Sequence, residues 1–477
     1  MENELIGRQE EQQVLLDALQ SKEAEMVAVI GRRRVGKTFL IKAVYKAQIV
    51  FEITGLQDAS LEKQLQHFNF TLRQYTGHEM PHNQPANWLA AFQMLVMYLG
   101  EKNDEGKSVV FFDELPWLAS RKSDFLTGLG FFWNSWAVNN NVVVVICGSA
   151  ASWMIDNVVN NRGGLHNRIT KRIYLQPFNL AETESYLKSR NIGFTRYQVV
   201  ELYMALGGIP HYLKEIKAGK SAVQNIDDLC FSQNGILRDE FSRLYPSLFS
   251  NADKHVAVIR ALAATRQGLT RQQVVQKGKL SEGGNTSRVL LELEQSGFIT
   301  SYLPFDKKKK DTLYRLTDEY SLFYLQFVED KANEGSGTWQ HLSQTQTYKS
   351  WSGYAYENCC LKHVPQLKKA LGIAGVYSKA STFFKQGTAT EKGAQIDLLI
   401  DRNDQVINIF EIKFYKTEMT IDGEYAKVLR EKLRVFQETT NTRKYLMLTL
   451  MTTFGINVNQ HSLGVVEKVM TLEDLFG

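Results

Sequence analysis

Apolar residues in the first half of the chain fall into two alternating patterns. Short continuous apolar runs predict buried strands at residues 26–30, 49–54, 109–112, 142–147 and 172–175. Apolar residues at helical spacing predict helices at 39–45, 61–75 and 87–99, and beyond the last strand at 179–190 and 196–217. This alternation predicts an α/β domain with a parallel sheet covered by helices, and a helical lid after the last strand.

The pattern changes between residues 251 and 330, where three helices precede two strands. The helices are predicted at 254–264, 270–278 and 285–296, and the strands at 298–303 and 312–316. The turn between these strands carries four consecutive lysines, from Lys307 to Lys310. Three helices followed by a basic hairpin are the pattern of a winged helix.

A polar stretch with Gly and Ser at residues 331–345 predicts a linker to a third domain. That domain begins near residue 346. It has predicted strands at 395–400 and 406–414 around a turn, a helix at 421–438 and a strand at 444–450. The predicted domains are therefore residues 1–250, 251–330 and 346–477, in keeping with a chain of 477 residues.

Composition and charge constrain the class of protein and its partners. A hydrophobic content of 44% with only 8 prolines indicates folded domains rather than long disordered segments. The net charge of +5 is uneven, because residues 251–317 hold twelve Lys and Arg against six Asp and Glu, an excess of +6. This local excess favours an anionic partner for that segment.

The four cysteines, Cys147, Cys230, Cys359 and Cys360, show no CxxC spacing, so neither a zinc site nor a disulfide framework is expected. They are typical of reduced thiols in an intracellular protein. The first residues do not resemble a secretory leader, and no apolar stretch has the length of a membrane span. The expected location is the cytoplasm, without a membrane partner.

Residues 31–38 read GRRRVGKT, a full GxxxxGK[ST] phosphate loop between a predicted strand and a predicted helix. Gly31 and Gly36 let the backbone N–H groups face phosphates. Lys37 reaches the β- and γ-phosphates, and the Thr38 hydroxyl binds Mg²⁺. The expected cofactors are ATP and Mg²⁺. The nucleotide-binding segment is Gly31, Arg32, Arg33, Arg34, Val35, Gly36, Lys37, Thr38 and Phe39. Its three arginines either contact phosphates or are solvated.

Two acids end the strand predicted at 109–112. Asp113 is expected to hold Mg²⁺ through Thr38, and Glu114 to polarise the attacking water as a general base. The alternative explanation, a solvated Asp-Glu pair at the start of a loop, is disfavoured because a complete phosphate loop precedes these residues.

Polar residues also follow the strand predicted at 142–147. Ser149 either senses the γ-phosphate or caps the following helix. Arg162 and Arg168 are either ordinary surface arginines or candidates for an arginine that stabilises γ-phosphate charge, and Arg168 is the preferred candidate. Such an arginine acts in cis or from a neighbouring subunit, in which case the protein is a homo-oligomer.

A carboxylate–lysine cluster is predicted in the third domain. Glu411 and Lys413 alternate onto one face of a strand, and the hairpin brings Asp397 opposite the Glu411 region. Two carboxylates and an amine are the groups of metal-dependent phosphodiester cleavage, in which the acids hold Mg²⁺ and the lysine orients water or offsets charge. Glu357, on a predicted helix upstream, adds a metal ligand. Ordinary cross-strand Glu–Lys pairs are the alternative explanation.

The whole chain resembles the archaeal-type ATPases of prokaryotes, a branch of the AAA-like P-loop ATPases. The matching residues are Ile6-Gly7-Arg8 with Glu10 and Glu11, the phosphate loop, Phe112-Asp113-Glu114, Gly148-Ser149, Gly207-Gly208-Ile209-Pro210, Glu357, Asp397 and Glu411-x-Lys413. The resemblance implies a P-loop ATPase domain with a helical lid, fused to a winged helix and to an α/β C-terminal domain like restriction endonucleases, of the PD-(D/E)xK type.

The resemblance also implies details of the site. The strand before Ser149 is expected between the P-loop strand and the strand before Asp113. Residues 5–8 and 207–210 are expected to flank the adenine, with Ile6, Arg8 and Pro210 as contacts. The sequence Gln-Ile-Asp ending at Asp397 replaces the usual Pro-Asp, as in many relatives of this family.

Three functions compete. The first is an ATP-regulated DNA enzyme that combines an ATPase, a DNA-binding winged helix and a metal-dependent deoxyribonuclease. The second is a nucleotide-dependent switch or scaffold whose C-terminal domain binds DNA or protein without cutting. The third, a remodeller of proteins, is disfavoured because the sequence has no recognisable aromatic–glycine threading loop. The set of Asp397, Glu411 and Lys413 favours the first.

Overall fold

Two units make up the structure, and the apolar strands predicted above form the centre of the first. The computed structural model describes residues 5–77, 83–101, 106–120, 123–161, 163–331, 334–388 and 392–477. The N-terminal unit is Met1–Pro177 and the C-terminal unit is Phe178–Gly477. Within the described ranges, no helix combines the length and the apolarity that crossing a membrane requires.

The N-terminal unit contains a five-stranded parallel sheet. Its strands are β1 Glu25–Ile30, β2 Ile49–Thr54, β3 Ser108–Asp113, β4 Val142–Gly148 and β5 Lys171–Tyr174. The order is β2-β3-β4-β1-β5, so β4 lies between β1 and β3 as the resemblance implies. All five strand predictions are confirmed to within one residue at each end. Because the strands are parallel, the loops after β1, β3 and β4 meet at one edge of the sheet.

Helices connect these strands, and an aromatic cluster fills the core between them. The helices are α1 Gln9–Gln20, α2 Lys37–Tyr45, α3 Leu61–Tyr75, α4 Trp88–Gly100, α5 Leu115–Leu118, α6 Phe125–Ser135 and α7 Ala151–Met154. The ring of Phe112 on β3 lies 5.7 Å from that of Phe92 and 5.8 Å from that of Phe125. All three rings are buried, and burial of each contributes about 1.5–3 kcal/mol. The cluster therefore holds β3 in place directly before Asp113.

The described part of the C-terminal unit contains helices and three sheets, of five, three and two strands. Its helices are α8 Leu180–Ser189, α9 Arg196–Leu206, α10 Pro210–Leu213, α11 Ala222–Cys230, α12 Glu240–Leu244, α13 Ala252–Ala263, α14 Arg271–Lys277, α15 Gly284–Gln295, α16 Glu319–Phe323, α17 Thr338–Leu342, α18 Gln346–Lys362, α19 Val364–Ala370, α20 Gly423–Thr440 and α21 Gln460–Leu463. Its strands are β6 Leu269–Thr270, β7 Ile299–Tyr302, β8 Leu313–Leu316, β9 Ser378–Lys385, β10 Ala394–Arg402, β11 Val406–Ile412, β12 Met419–Thr420, β13 Tyr445–Met451, β14 Ile456–Asn457 and β15 Lys468–Met470.

Residues 252–316, here called the helix–sheet segment, contain α13 to α15 and an antiparallel sheet of order β6-β8-β7. Both strands of the predicted hairpin are present, and β6 adds a third strand to it. The turn of the hairpin carries the four lysines at 307–310, all of which are exposed.

The larger sheet of this unit has the order β15-β13-β11-β10-β9. The β9–β10 and β10–β11 pairs are antiparallel, whereas β11, β13 and β15 are parallel. The β10–β11 register pairs Leu398 with Phe410, so Asp397 comes one residue before the first paired position of β10 and Glu411 one residue after the partner on β11. The predicted hairpin is confirmed, and it brings the two acids that the sequence singled out near each other.

The segment predicted as a linker is instead packed. α17 lies within residues 331–345, and its Trp339 is only 2% exposed. The Trp339 ring contacts the rings of Phe231 and Phe323. The Asp227 carboxylate accepts hydrogen bonds from the N–H groups of Gly337 and Trp339, both at 2.6 Å. The linker prediction was wrong because one large aromatic residue outweighs the polar residues around it.

The helix predicted at 196–217 is also interrupted. α9 ends at Leu206 because Gly207 adopts a positive φ of 67°. A Cβ atom on Gly208 would lie 1.9 Å from the carbonyl oxygen of Phe178, so only glycine fits there. α10 begins after this break, at Pro210.

His363 joins two helices of the C-terminal unit. Its Nδ1 atom donates to the carbonyl of Cys359 at 2.7 Å, and its Nε2 atom accepts from the N–H of Leu180 at 3.0 Å. Burial lowers the pKa of His363 to about 4. The neutral ring therefore ties the start of α8 to the end of α18.

We expect the C-terminal unit to lose stability as the pH falls from about 6.5 to about 4. In this window the unfolded state binds a proton at residue 363 that the folded state excludes. A pKa lowered from 6.5 to about 4 corresponds to roughly 3 kcal/mol at full effect. Thermal unfolding of His363→Gln across this range should show a flatter pH dependence than the wild type. Exposed His341→Gln is the control, and parallel curves for all three proteins would assign the effect to another group.

Candidate nucleotide site and C-terminal acidic cluster

The phosphate loop follows β1 and leads into α2. Gly36 has a φ of 95°, which favours glycine, and a Cβ atom on Gly31 would lie 2.5 Å from the carbonyl oxygen of Leu175. The buried Lys37 Nζ donates to the carbonyls of Gly31 and Arg32, at 2.9 and 3.2 Å. Lys37 thus lies across the loop. Of the other predicted loop residues, Arg32 and Val35 are buried, Arg33, Arg34 and Thr38 are partly exposed, and Phe39 is exposed.

Asp113 lies beside the phosphate loop at the end of β3. Its Oδ2 atom accepts from the Thr38 hydroxyl at 2.9 Å. Its Oδ1 atom accepts from the backbone N–H of Glu114 at 2.9 Å and from the thiol of Cys147 on β4. Burial is the main cause that raises the pKa of Cys147, so this residue stays a thiol and donates its hydrogen to the carboxylate. Cys147 was not predicted as a site residue, although it lies near the end of the apolar run that leads to Ser149.

Glu114 is held by Ser149. Its Oε2 atom accepts from the Ser149 hydroxyl at 2.8 Å and from the Ser149 N–H at 3.0 Å. Glu114 also has a left-handed backbone, with φ 47°. The cap of α7 is Ala150 rather than Ser149, so the alternative of a helix-capping serine is wrong.

The other residues predicted for this site are found in several parts of the structure. The Arg8 guanidinium donates to the carbonyl of Val35 at 3.3 Å, so the segment containing Ile6 reaches the phosphate loop. Arg168 is exposed, and Arg162 lies outside the described residues. Pro210 belongs to the C-terminal unit, where it is the first residue of α10.

Comparison with known protein families gives a match for this part of the chain. Residues 5–216 match the family described as an ATPase domain predominantly from Archaea. This part of the chain is an archaeal-type ATPase domain. The chain is also 22% identical to an uncharacterized protein of Methanocaldococcus jannaschii. The alignment spans 436 residues, which are 90% of this chain and 91% of that protein.

Solved structures of similar fold include two archaeal proteins. The Walker-type ATPase PABY2304 of Pyrococcus abyssi is 18% identical with a TM-score of 0.49, over 68% of this chain and 97% of that chain. The ORC2 protein of Aeropyrum pernix is 17% identical with a TM-score of 0.40, over 72% of this chain and 98% of that chain. No ligand or partner of this chain follows from likenesses of this size.

The residues of the ATPase domain fit a nucleotide with its Mg²⁺ ion. Gly36 faces open space, with no heavy atom within 4 Å of the position of a Cβ atom, and Lys37 offers a cation inside the turn. The Thr38 hydroxyl and the Asp113 carboxylate, hydrogen-bonded to each other, are oxygen donors of the type that Mg²⁺ takes.

Outside the ATPase domain, Glu411 on β11 lies among cations. Its Oε1 atom accepts from Lys413 Nζ at 2.9 Å and from the Tyr425 hydroxyl at 2.7 Å, and its Oε2 atom pairs with Lys432. Burial opposes ionisation of Glu411, but the attraction of Lys432 and Lys413 outweighs it and lowers its pKa to about 2. Glu411 also raises the pKa of Lys413 against the opposing effect of burial, so this lysine stays protonated.

Glu357 and Asp397 form an acidic pair next to this ion pair. Burial and the charge of Asp397 raise the pKa of Glu357 to about 7, against the opposing charge of Arg315. Arg315, on β8, is 3% exposed and lies with its Nη2 atom 3.4 Å from Glu357 Oε2. The Gln395 side chain donates to Asp397 Oδ1 at 2.6 Å.

This cluster contains few side chains that could coordinate a metal ion. Within the described ranges, no group of three or more His, Cys, Asp or Glu side chains lies close enough to hold a metal ion. The charge of Asp397 disfavours ionisation of Glu357, and Arg315 offsets part of this repulsion. Glu411, by contrast, already has two lysines as counter-ions.

The sequence prediction of this cluster was incomplete. Tyr425 and Lys432 were missed, although their spacing of seven residues places both on the inner face of α20. Arg315 had no sequence signal, because its partner lies 42 residues further along the chain.

Proposed function

We propose that the protein binds and hydrolyses ATP. The network of Lys37, Thr38 and Asp113 carries this proposal, since it gathers a loop cation and two oxygen donors at the edge of the sheet. In this assignment the loop N–H groups and Lys37 bind the β- and γ-phosphates. The Mg²⁺ ion, held by Thr38 and Asp113, neutralises charge on the phosphates. Ile6 and Arg8 are assigned to the adenine, whereas the role of Pro210 stays a prediction from the sequence.

Glu114 acts in this proposal as the general base. Its second carboxylate oxygen, Oε1, is the one that Ser149 does not engage. A carboxylate oriented in this way removes a proton from water during attack on the γ-phosphate. Ser149 orients the base, and Arg168 is assigned to the γ-phosphate charge, in cis or from a neighbouring subunit.

We further propose that the C-terminal unit binds DNA and cleaves it as a metal-dependent nuclease. The hairpin that brings Asp397 near the Glu411 region, together with the Lys413–Glu411 pair, supports the assignment of a PD-(D/E)xK-like site. Glu357, Asp397 and Glu411 are the proposed Mg²⁺ ligands. When bound, Mg²⁺ activates water for attack on a phosphodiester. Lys413, held protonated by Glu411, offsets the charge that develops on the phosphate.

The helix–sheet segment is the proposed DNA-binding module, with the fold of a winged helix. Its four exposed lysines at 307–310 project from the hairpin turn, where they are available to phosphates. α15 is a weaker candidate for base contacts, because Arg288 is paired with Glu292 at 2.8 Å. Binding with little base specificity follows from this arrangement.

A second candidate function is a nucleotide-dependent switch whose C-terminal unit binds DNA or protein without cutting. The two lysines that neutralise Glu411 favour it, because an acid that already has counter-ions has less need of a metal. The two candidates differ in one measurable property, which is strand cleavage.

The deciding experiment compares full-length wild type with Asp397→Asn. Under the nuclease proposal, wild type cleaves DNA in Mg²⁺ or Mn²⁺, and Asp397→Asn lowers the rate by at least about 100-fold, because one charged oxygen donor is lost. ATP hydrolysis and DNA binding should stay near the wild-type level. The matched control is Asp401→Asn on the same strand, whose carboxylate pairs with Lys444 at 2.6 Å away from the acidic pair. Intact linear, circular and single-stranded DNA after incubation with wild type would favour the switch.

A further inference from the structure

An open cleft of about 610 Å³ lies in the C-terminal unit beside the acidic pair. α13, the segment after α16 and the first turns of α18 form its walls. The residues that decide its chemistry are Arg260, Arg266, Glu329, Ser350, Trp351 and Tyr354. Neither the ATPase domain match nor the residues predicted from the sequence include this cleft.

Of the two arginines that line the cleft, one is neutralised by a carboxylate and the other is not. Arg260 is neutralised by Glu329, with which it forms two hydrogen bonds. Arg266 is exposed and donates to the Ser350 hydroxyl at 2.7 Å. No carboxylate pairs with Arg266 among the residues that the structure describes. Its guanidinium is therefore the cation in the cleft that is ready to meet an anion.

A first chain of contacts links the loop that carries Arg266 to Asp397. Gln267, the next residue, donates through its side chain to Gln395 Oε1 at 3.0 Å. Gln395 in turn donates to Asp397 Oδ1 at 2.6 Å. Two consecutive hydrogen bonds therefore fix the edge of the cleft relative to the first acid.

A second chain links the wall of the cleft to Glu357. The Tyr354 hydroxyl accepts from Arg315 Nε at 3.2 Å, and the guanidinium of Arg315 also lies 4.5 Å from the centre of the Tyr354 ring. The other end of that guanidinium lies 3.4 Å from Glu357 Oε2. Both acids are thus tied to residues at the border of the same cleft.

We propose that this cleft binds the sugar–phosphate backbone of a single-stranded nucleic acid and leads it to Glu357 and Asp397, with Arg266 contacting a phosphate. The proposal rests on the nuclease function proposed above, since it names the path of that substrate. Guanidinium groups match phosphate geometry well. The volume is that of a small-ligand pocket, too small for a duplex but suited to a short stretch of one strand. Trp351 and Tyr354 in the lining are only 6% and 5% exposed, so the contact expected here is with backbone phosphate rather than with stacked bases.

The test is binding of a fluorescein-labelled single-stranded DNA oligonucleotide to the full-length protein, measured by anisotropy at several salt concentrations in EDTA to prevent cleavage. Arg266→Gln should weaken binding by about five- to tenfold. It should also lower the slope of log K against log salt by about 0.7, the value for one phosphate contact on a single strand. Arg266→Lys should keep the slope, because the charge remains.

The control is Arg243→Gln on α12, which removes another exposed arginine of the same unit, one that lies 3.6 Å from Asp239, and should leave affinity and slope unchanged. Unchanged binding by Arg266→Gln would overturn the cleft proposal, whether or not the protein cleaves DNA. A larger loss on duplex than on single strands would overturn the single-strand assignment. Loss of binding in Arg266→Gln, with no cleavage by wild type in Mn²⁺, would keep the cleft as a binding site and refute only the nuclease.

Discussion

Glu114→Gln should bind ATP about as tightly as the wild type while hydrolysing it about 10²- to 10⁴-fold more slowly. The amide oxygen can still accept the two hydrogen bonds from Ser149, so the local structure is preserved. The amide cannot take a proton from water, which removes the contribution of a general base. Phosphate release measures hydrolysis, and calorimetric titration with ATP measures binding.

Lys37→Ala is the companion variant, and its main defect should be in ATP binding rather than in hydrolysis alone. It removes the cation that lies across the phosphate loop, so binding itself should be strongly weakened. Equal ATP affinity of Lys37→Ala and wild type would refute the nucleotide site. Wild-type turnover by Glu114→Gln would leave the site in place but assign the base to another group.

Trp339→Ala should destabilise the C-terminal unit by about 3–5 kcal/mol, the usual cost of truncating a large buried aromatic side chain. Its ring contacts several other rings, of which Phe231 stacks at 6.3 Å and Phe323 and Phe327 pack edge-on at 4.7 and 5.1 Å. Removing it leaves a cavity that rigid neighbouring rings cannot fill.

Thermal and urea unfolding of the full-length protein, followed by near-ultraviolet circular dichroism, would measure this loss. Gln340→Ala is the control, since it changes the neighbouring exposed residue of the same helix. A loss below about 1 kcal/mol for Trp339→Ala would mean that this segment is a linker in solution, as its composition alone predicts.

The strands and the phosphate loop of the ATPase domain were predictable because their signals are local. A buried parallel strand needs a continuous apolar run, and the phosphate loop needs glycine, lysine and threonine at fixed spacing. The hairpin that brings Asp397 near the Glu411 region was also predictable, since a hairpin with a short turn leaves few alternatives.

Other features depend on residues that are distant in the sequence. The linker prediction failed at Trp339, which is buried by rings from two other helices rather than by its neighbours. The lid prediction missed the break after Leu206, where Gly207 has a positive φ and Gly208 lies against the backbone of Phe178.

The amino-acid pattern alone predicts the chemical groups of the two proposed sites, whereas the partners of these groups are known only from the folded chain. Nothing in the sequence around Glu114 indicates that Ser149 holds it, and nothing around Glu357 indicates Arg315. The physical reason is that hydrogen bonds and ion pairs depend on distances of a few ångströms. Sheet order and helix packing set those distances between segments that the chain separates by tens of residues.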